Sequence, residues 1–176
     1  MKDLIIGSHL LFARAGTVID GVTVGPEAKP DTTPTTNYIK LPTVQDWEPK
    51  TTRQIVKRRA PSPGKYRDRR SITLSTSTDH AFSLQEWSEM TFAELLLGGN
   101  KPVSGVFVPG EREELLTGWW IVQGYDQNDD LIVALNIYGE ARIDGYKFGE
   151  RLDPYALIIT QLYSSIASGE ITNLPD

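Results

Sequence analysis

Between Arg53 and Arg70 stand Arg53, Lys57, Arg58, Arg59, Lys65, Arg67, Arg69 and Arg70, opposed only by Asp68. A segment of net charge +7 does not enter an apolar core, because a buried charge without a partner costs more than a small fold can offset. Pro61-Ser62-Pro63-Gly64 interrupts the segment at its middle, with residues 54–60 before it and 65–70 after it. Proline and glycine at adjacent positions are turn chemistry. The segment therefore reads as a long extended hairpin, a basic arm over residues 53–70 that projects from the rest of the molecule. The remainder of the chain carries −12, which brings the total to −5. A basic arm on an acidic body can steer toward nucleic acid or pair head to tail with copies of its own chain. The blander reading is a solvated loop with no partner.

At 176 residues the chain is long enough to bury a sizeable core and is read as a single domain, 1–176. The absence of cysteine excludes a disulfide scaffold, a cysteine-ligated metal site and a thiol nucleophile. The longest apolar runs, 131–135 and 155–159, have five residues, too few to span a bilayer as a helix. Lys2, the apolar residues 4–12 and Ala13-Arg14-Ala15 loosely mimic a signal peptide. Asp3 and the interrupting Gly7-Ser8-His9 favour a first strand instead.

The pattern along the chain is mostly β. Residues 4–13 and 17–24 read as strands joined by a turn at Gly16. Residues 25–36, with Pro26, Pro30 and Pro34, read as a loop that cannot ladder. A short strand is expected over 38–41. Residues 71–78 alternate Ile72, Leu74 and Thr76 with smaller polar residues, the period of a half-buried strand. One helix is expected over 83–97. Ser83-Leu84-Gln85-Glu86 forms a capping box, Phe82 and Trp87 a hydrophobic staple, and Gly98-Gly99 a C-terminal stop. Strands are expected again over 103–108, 116–126, 131–143 and 155–164, with Asp126-Gln127-Asn128-Asp129-Asp130 as a hairpin loop and 168–176 as a tail. The expected fold is α+β in the mostly-β sense: a β-sandwich or barrel with one flanking α-helix, a Pro-rich loop at 25–36 and the projecting arm.

Residues that could carry chemistry are few. His9 and His80 are the two histidines. A Ser-His-Asp triad needs a base held by a carboxylate and touching a nucleophile. Asp79-His80, read as part of a turn between strand and helix, would point apart. Asp126, Asn128 and Asp130 resemble the start of a calcium loop, but Leu131 and Ile137 stand where Gly and Glu are required. Gly98-Gly99-Asn100-Lys101 follows a helix and lacks phosphate-loop spacing. Glu111, Glu113 and Glu114 with Asp126, Asp129 and Asp130 read as solvated carboxylates rather than a glycosidase pair. Of Trp119 and Trp120, adjacent on a strand, one should face the core and the other solvent or an interface. Trp47, between Asp46 and Glu48 in an expected loop, is a candidate interface aromatic. No catalytic residue, metal ligand or cofactor is expected, and the chain is not read as an enzyme.

The order of these pieces resembles the tail tube proteins of long-tailed, non-contractile phages. The resemblance runs over residues 53–171. The arm is followed by Ser71-Ile72-Thr73-Leu74-Ser75-Thr76-Ser77-Thr78 and a helix. Next comes a hairpin from Trp119-Trp120-Ile121-Val122-Gln123-Gly124-Tyr125-Asp126 to residues 131–138, continued by Gly139-Glu140-Ala141-Arg142-Ile143. A closing strand over 155–164 leads to Ser168-Gly169-Glu170-Ile171. The resemblance implies a structural virion protein sharing its fold with type VI secretion tube proteins. Six subunits would form a ring, and rings would stack into the tube that conducts DNA on ejection. Its partners would be copies of itself and the tape measure, terminator and distal tail proteins. DNA would pass through the lumen without specific binding, and no membrane would be involved. It would reside in the virion tail, and in the host cytoplasm during assembly. Arg53, Ile55, Val56, Lys57, Arg58, Arg59, Lys65, Tyr66, Arg67, Arg69 and Arg70 would form the self-assembly interface. A tail terminator or neck protein forming a single ring, or a β-sandwich module binding carbohydrate or nucleic acid, are the alternatives.

Overall fold

A computed structural model describes residues 7–31, 37–41, 44–84, 94, 95, 98, 104, 106, 115–128, 130–143, 155–166 and 170–172. The strands are β1 (Gly7–Arg14), β2 (Val18–Ile19), β3 (Val22–Thr23), β4 (Ile39–Lys40), β5 (Val44–Ser62), β6 (Lys65–Leu84), β7 (Leu116–Tyr125), β8 (Leu131–Ile143), β9 (Tyr155–Gln161) and β10 (Glu170–Thr172). The main sheet runs β10-β8-β7-β1-β5-β6-β9, and β8 also pairs with β9. The path β1-β5-β6-β9-β8-β7 therefore returns to its start and closes an antiparallel barrel. This closure removes the free edges of an open sheet. The mostly-β fold matches the sequence reading.

Alternation along each strand explains how one sheet makes two cores. Leu10 and Phe12 on β1, Leu116, Trp120 and Val122 on β7, and Leu135, Ile137 and Ala141 on β8 point into the barrel. There they meet Phe82, Leu84, Tyr155, Leu157 and Ile159. Leu11, Ala13, Trp119, Ile121 and Tyr138 point outward and are buried under Val24, Tyr38 and Ile19. Trp119 and Trp120 are thus both fully buried, which corrects the expectation that one would face solvent or an interface. The Pro-rich loop supplies the difference. Trp119 Nε1 donates to the carbonyls of Gly25 (2.8 Å) and Ala28 (3.2 Å). Tyr38 Oη donates to the Pro30 carbonyl at 2.6 Å. Burial pushes the Tyr38 phenol up to about 12, with Asp31 adding to the shift. Gly25 and Ala28 also bond each other's amides as an isolated antiparallel bridge, so the indole takes the second lone pair of each carbonyl.

Three further expectations are revised. Residues 17–24 form not one strand but a tight hairpin of β2 and β3, turning at Asp20 and Gly21, both with positive φ. Residues 170–172, expected in a tail, pair with β8 as β10. Ser83 and Leu84, expected to open a helix, are the last residues of β6. Ser83 pairs with Asp46 and Ala156, and Leu84 with Val44 and Tyr155. A helix N-terminus at Ser83 would break four of these rungs and expose Leu84, which is fully buried. The non-local ladder wins over the local capping signal. Residues 85–93, 96 and 97 lie outside the described residues, while Glu94 and Leu95 are helical. Apart from Ser104 and Val106, the expected strand over 103–108 also lies outside them.

The interior is organised around one rung. Gly118 pairs with Gly139. A Cβ at Gly118 would collide with the Ala13 carbonyl oxygen and Phe12, and one at Gly139 would lie 2.5 Å from the Thr160 carbonyl oxygen. The missing side chains let β7 lie close against β1 and β8 close against β9, and beside the rung Trp120 stacks on Phe12 with ring centroids 4.0 Å apart and donates from Nε1 to the Gly139 carbonyl at 3.2 Å. Gly139→Ala is expected to destabilise the fold by about 1–3 kcal/mol through overpacking. A urea titration that leaves the midpoint unchanged would refute this account of the rung.

Candidate functional site

The arm read from the basic run is a single antiparallel hairpin of β5 and β6, longer than the basic run itself. Its ladder runs from Val44↔Leu84 to Ser62↔Lys65, with Pro63-Gly64 as the turn. Gly64 takes φ +73° with open space around it, the left-handed conformation that glycine adopts without steric cost. Among the described residues, only the base of the hairpin has further strands beside it. β1 meets β5 at Ser8↔Val44, and β9 follows β6 from Leu84 to Asp79. Beyond Lys50↔Asp79 the two strands pair with each other alone among the described residues. Thr51 to Ser62 at a strand rise of 3.3 Å gives a ribbon about 40 Å long. Ser71–Thr78, expected to be half-buried, is mostly exposed, with Leu74 at 60%. Its alternation does not mark a core face because no second layer covers it among the described residues.

The register assigns the arm residues to faces. β6 carries one more residue than β5 between Gln54 and Ile55, and another between Arg58 and Arg59. Leu74 and Arg69 are the unpaired residues of these two bulges. One face carries Arg53, Ile55, Lys57, Arg59 and Tyr66, with Asp68 among them. Lys57 Nζ lies 3.1 Å and Arg59 Nε 3.7 Å from the Asp68 carboxylate. Both pairs are solvent-exposed and contribute about 0.2–1 kcal/mol each. The other face carries Val56 opposite Ile72, Arg58 opposite Arg70, Arg67 opposite Ala60, and Lys65 opposite Ser62. From Val56 to the tip this face has no carboxylate. Like charges facing each other across a rung are unfavourable, so Arg58 and Arg70 weaken the free ribbon. Ile55, Val56 and Tyr66 are exposed at 50%, 45% and 73%.

The base of the arm is fastened on both faces. Trp47 belongs to β5 and not to a loop as expected. It is half-buried, packs against the barrel interior and stacks on His80. Its Nε1 donates to His80 Nδ1 at 3.3 Å, so the His80 proton resides on Nε2 and is donated to Gln161 Oε1 at 3.3 Å. Asp79 and His80 lie within β6, not in a turn between strand and helix, and alternation sends them to opposite faces. Thr160 Oγ1 donates to Asp79 at 2.7 Å and accepts from Arg142 at 2.9 Å. On this face Arg142 also stands 4.0 Å from the Asp79 carboxylate. The Trp47–His80 pair left no signal in the sequence, since its partners are 33 residues apart and meet only through the register of β5 and β6.

The remaining candidates have structural roles. Asp126 Oδ1 accepts from the amides of Asn128 (2.8 Å) and Asp130 (3.0 Å). These bonds hold its carboxyl below the usual range. The carboxylate is used to form its own turn. His9 lies on β1 with Tyr125 edge-on at 5.6 Å, and its buried Nδ1 has no hydrogen-bond partner among the described residues. Glu94 is buried and forms an ion pair with Arg14. Among the described residues no three His, Asp or Glu side chains cluster to hold a metal ion, and no helix is long and apolar enough to cross a membrane. Glu111, Glu113, Glu114 and Asp129 lie outside the described residues. No family model matches the chain, and no curated protein is significantly similar to it.

Burial holds the His80 pKa below its ordinary 6.5, against smaller opposing effects of Gln161 and Asp79. Burial and Lys40 lower that of His9. In both cases the unfolded chain takes up protons first on acidification. Stability is full above pH 6.5 and falls as the pH drops from there toward the folded-state values. His80→Gln should flatten the dependence of the urea midpoint between about pH 8 and pH 5.5, leaving the His9 share. An identical slope in wild type and variant would show that His80 is not held neutral by the fold.

Proposed function

We propose that the chain is a self-assembling structural subunit, a phage tail tube protein whose rings stack through the arm. The observation that carries this reading is the ribbon beyond Lys50 and Asp79. A two-stranded hairpin without a third strand or a covering layer is marginally stable in water. This one extends about 40 Å, exposes Ile55, Val56, Tyr66 and Leu74, and sets Arg58 against Arg70. Each of these costs falls when a surface that is partly apolar and partly acidic covers the ribbon. The rest of the same sequence, at −12, supplies the sign of charge such a surface needs.

Charge alone does not seat the arm. Ion pairs on an exposed ribbon contribute about 0.2–1 kcal/mol each, and fixing a mobile hairpin costs roughly 1–2 kcal/mol per residue ordered. Burial of the exposed apolar side chains supplies the larger share, and the cations set orientation. The closed barrel, with its two cores, gives the arm a rigid base.

Light scattering with negative-stain imaging should show tubes appearing as protein concentration rises. Replacing Arg58, Arg59, Arg69 and Arg70 with Glu should preserve the circular dichroism spectrum and stop tube growth. Single rings without stacking would favour a terminator or neck role. Tubes that grow at the normal rate from the Glu variant would overturn the role given to the arm. A monomer that shifts DNA on a gel, with binding lost steeply as salt rises, would favour a nucleic-acid module.

A further inference from the structure

Where β5 and β6 leave the barrel, three side chains form one hydrogen-bonded chain. Trp47 on β5 and His80 on β6 are diagonal neighbours on one face, because Trp47 pairs with Phe82 and Pro49 with His80. The indole Nε1 donates to His80 Nδ1, and His80 Nε2 donates to Oε1 of Gln161, the last residue of β9. The chain ties β5 to β6 and β6 to β9 at the end of the barrel. His80 is 4% exposed. Among the described residues, the neighbouring side chains on its face are uncharged: Trp47 and Pro49 from β5, Phe82 from β6, and Ile159 and Gln161 from β9. The charged groups of the root are Asp46, Glu48 and Lys50 on β5, Asp79 on β6, and Glu140 and Arg142 on β8. All of them alternate onto the opposite face. Burial outweighs the attraction of Asp79 and keeps the imidazole neutral.

We propose that Trp47, His80 and Gln161 form an acid-sensitive latch, which fixes the arm to the barrel while His80 is neutral and loosens its root when His80 is protonated. The latch closes within one subunit, so it goes beyond the self-assembly reading and does not depend on it. The neutral ring accepts at Nδ1 and donates at Nε2, the pattern its two partners require. An added proton settles on Nδ1, the nitrogen that accepts from Trp47. The imidazolium then sets N–H against N–H and leaves the indole without its acceptor. It also places a cation beside Phe82 and Ile159, with no carboxylate on that face among the described residues. Moving the ring into water relieves both costs and frees Trp47 with the β5 segment that carries it. The ladder offers little to oppose this. A bulge separates Val44 from Asp46, and Pro49, opposite His80, has no amide to donate.

Native-state hydrogen exchange on the full chain tests the latch, with rates corrected for the intrinsic effect of pH. A window from about pH 7.5 to about pH 5 crosses the ordinary histidine range and stays above that of carboxylates. Across it, the amides of Asp46, Trp47, Glu48 and Lys50 should lose protection by about fivefold or more. The ceiling is about thirtyfold, reached if the ring takes up its proton only in the open form. Because the opening is local and exposes little surface, dilute urea should barely change these rates while it accelerates exchange in β7 and β8. In His80→Gln the side-chain oxygen can still accept from Trp47 and the amide can still donate to Gln161, so the protection should no longer depend on pH. His9→Gln should keep the wild-type loss. Protection at 46–50 that does not change with pH in the wild type would overturn the latch. The same urea dependence at the root and in β7 and β8 would also overturn it, by showing that the root opens only with the whole barrel.

Discussion

Among the described residues, β5 and β6 are held on a second side only at their root. Up to Lys50 and Asp79, β9 lies against β6, β1 touches β5, and Trp47, Phe82 and Leu84 pack into or against the barrel interior. Past that rung the same two strands continue with nothing beside or beneath them among the described residues. The position of that boundary sets the length of the ribbon, decides which apolar side chains are exposed, and separates residues that stabilise the fold from residues available to a partner. It also explains why two kinds of chemistry lie close together on β6. His80 is buried and bonded at both ring nitrogens, while Ser75, five residues away, is exposed and its hydroxyl bonds Gln54 on the facing strand.

Much of the barrel was legible because its signals are local. β8 has the boundaries its alternation predicts, and β7 differs by one residue. The Asp126 loop forms its turn through the short-range bonds that such residues favour. The hairpin at 53–70 was legible because charge and Pro-Gly chemistry together leave few other conformations. The misreadings share a cause. Ser83, Trp47 and Trp119 are each placed by partners far away in sequence. β9 extends β6 over the capping-box serine, His80 draws Trp47 into a strand, and the carbonyls of Gly25 and Ala28 cap an indole about ninety residues away. The extra length of the arm was hidden for the same reason. An alternating strand looks half-buried whether or not a second layer exists to bury it.

The division of charge between the faces of the arm could not be read from counting. Along the sequence, Asp68 offsets one cation in a run of eight. In the register it bridges Lys57 and Arg59 on one face and leaves Arg58, Lys65, Arg67 and Arg70 together on the other. The Pro63-Gly64 turn sets most of this sorting, because the register from Ser62↔Lys65 to Arg59↔Asp68 lies on its side of both bulges, and the bulge at Arg69 then places Arg70 opposite Arg58. A hairpin of the same composition without bulges would mix its charges differently.

The join between β1 and β5 consists of Ser8↔Val44 alone among the described residues, whereas β6 holds β9 over six rungs. Both joins flank the root of the arm. Tension applied along the ribbon enters the barrel through the six rungs of β6 and β9 as shear, so this ladder is the fulcrum on which the arm bears as a lever.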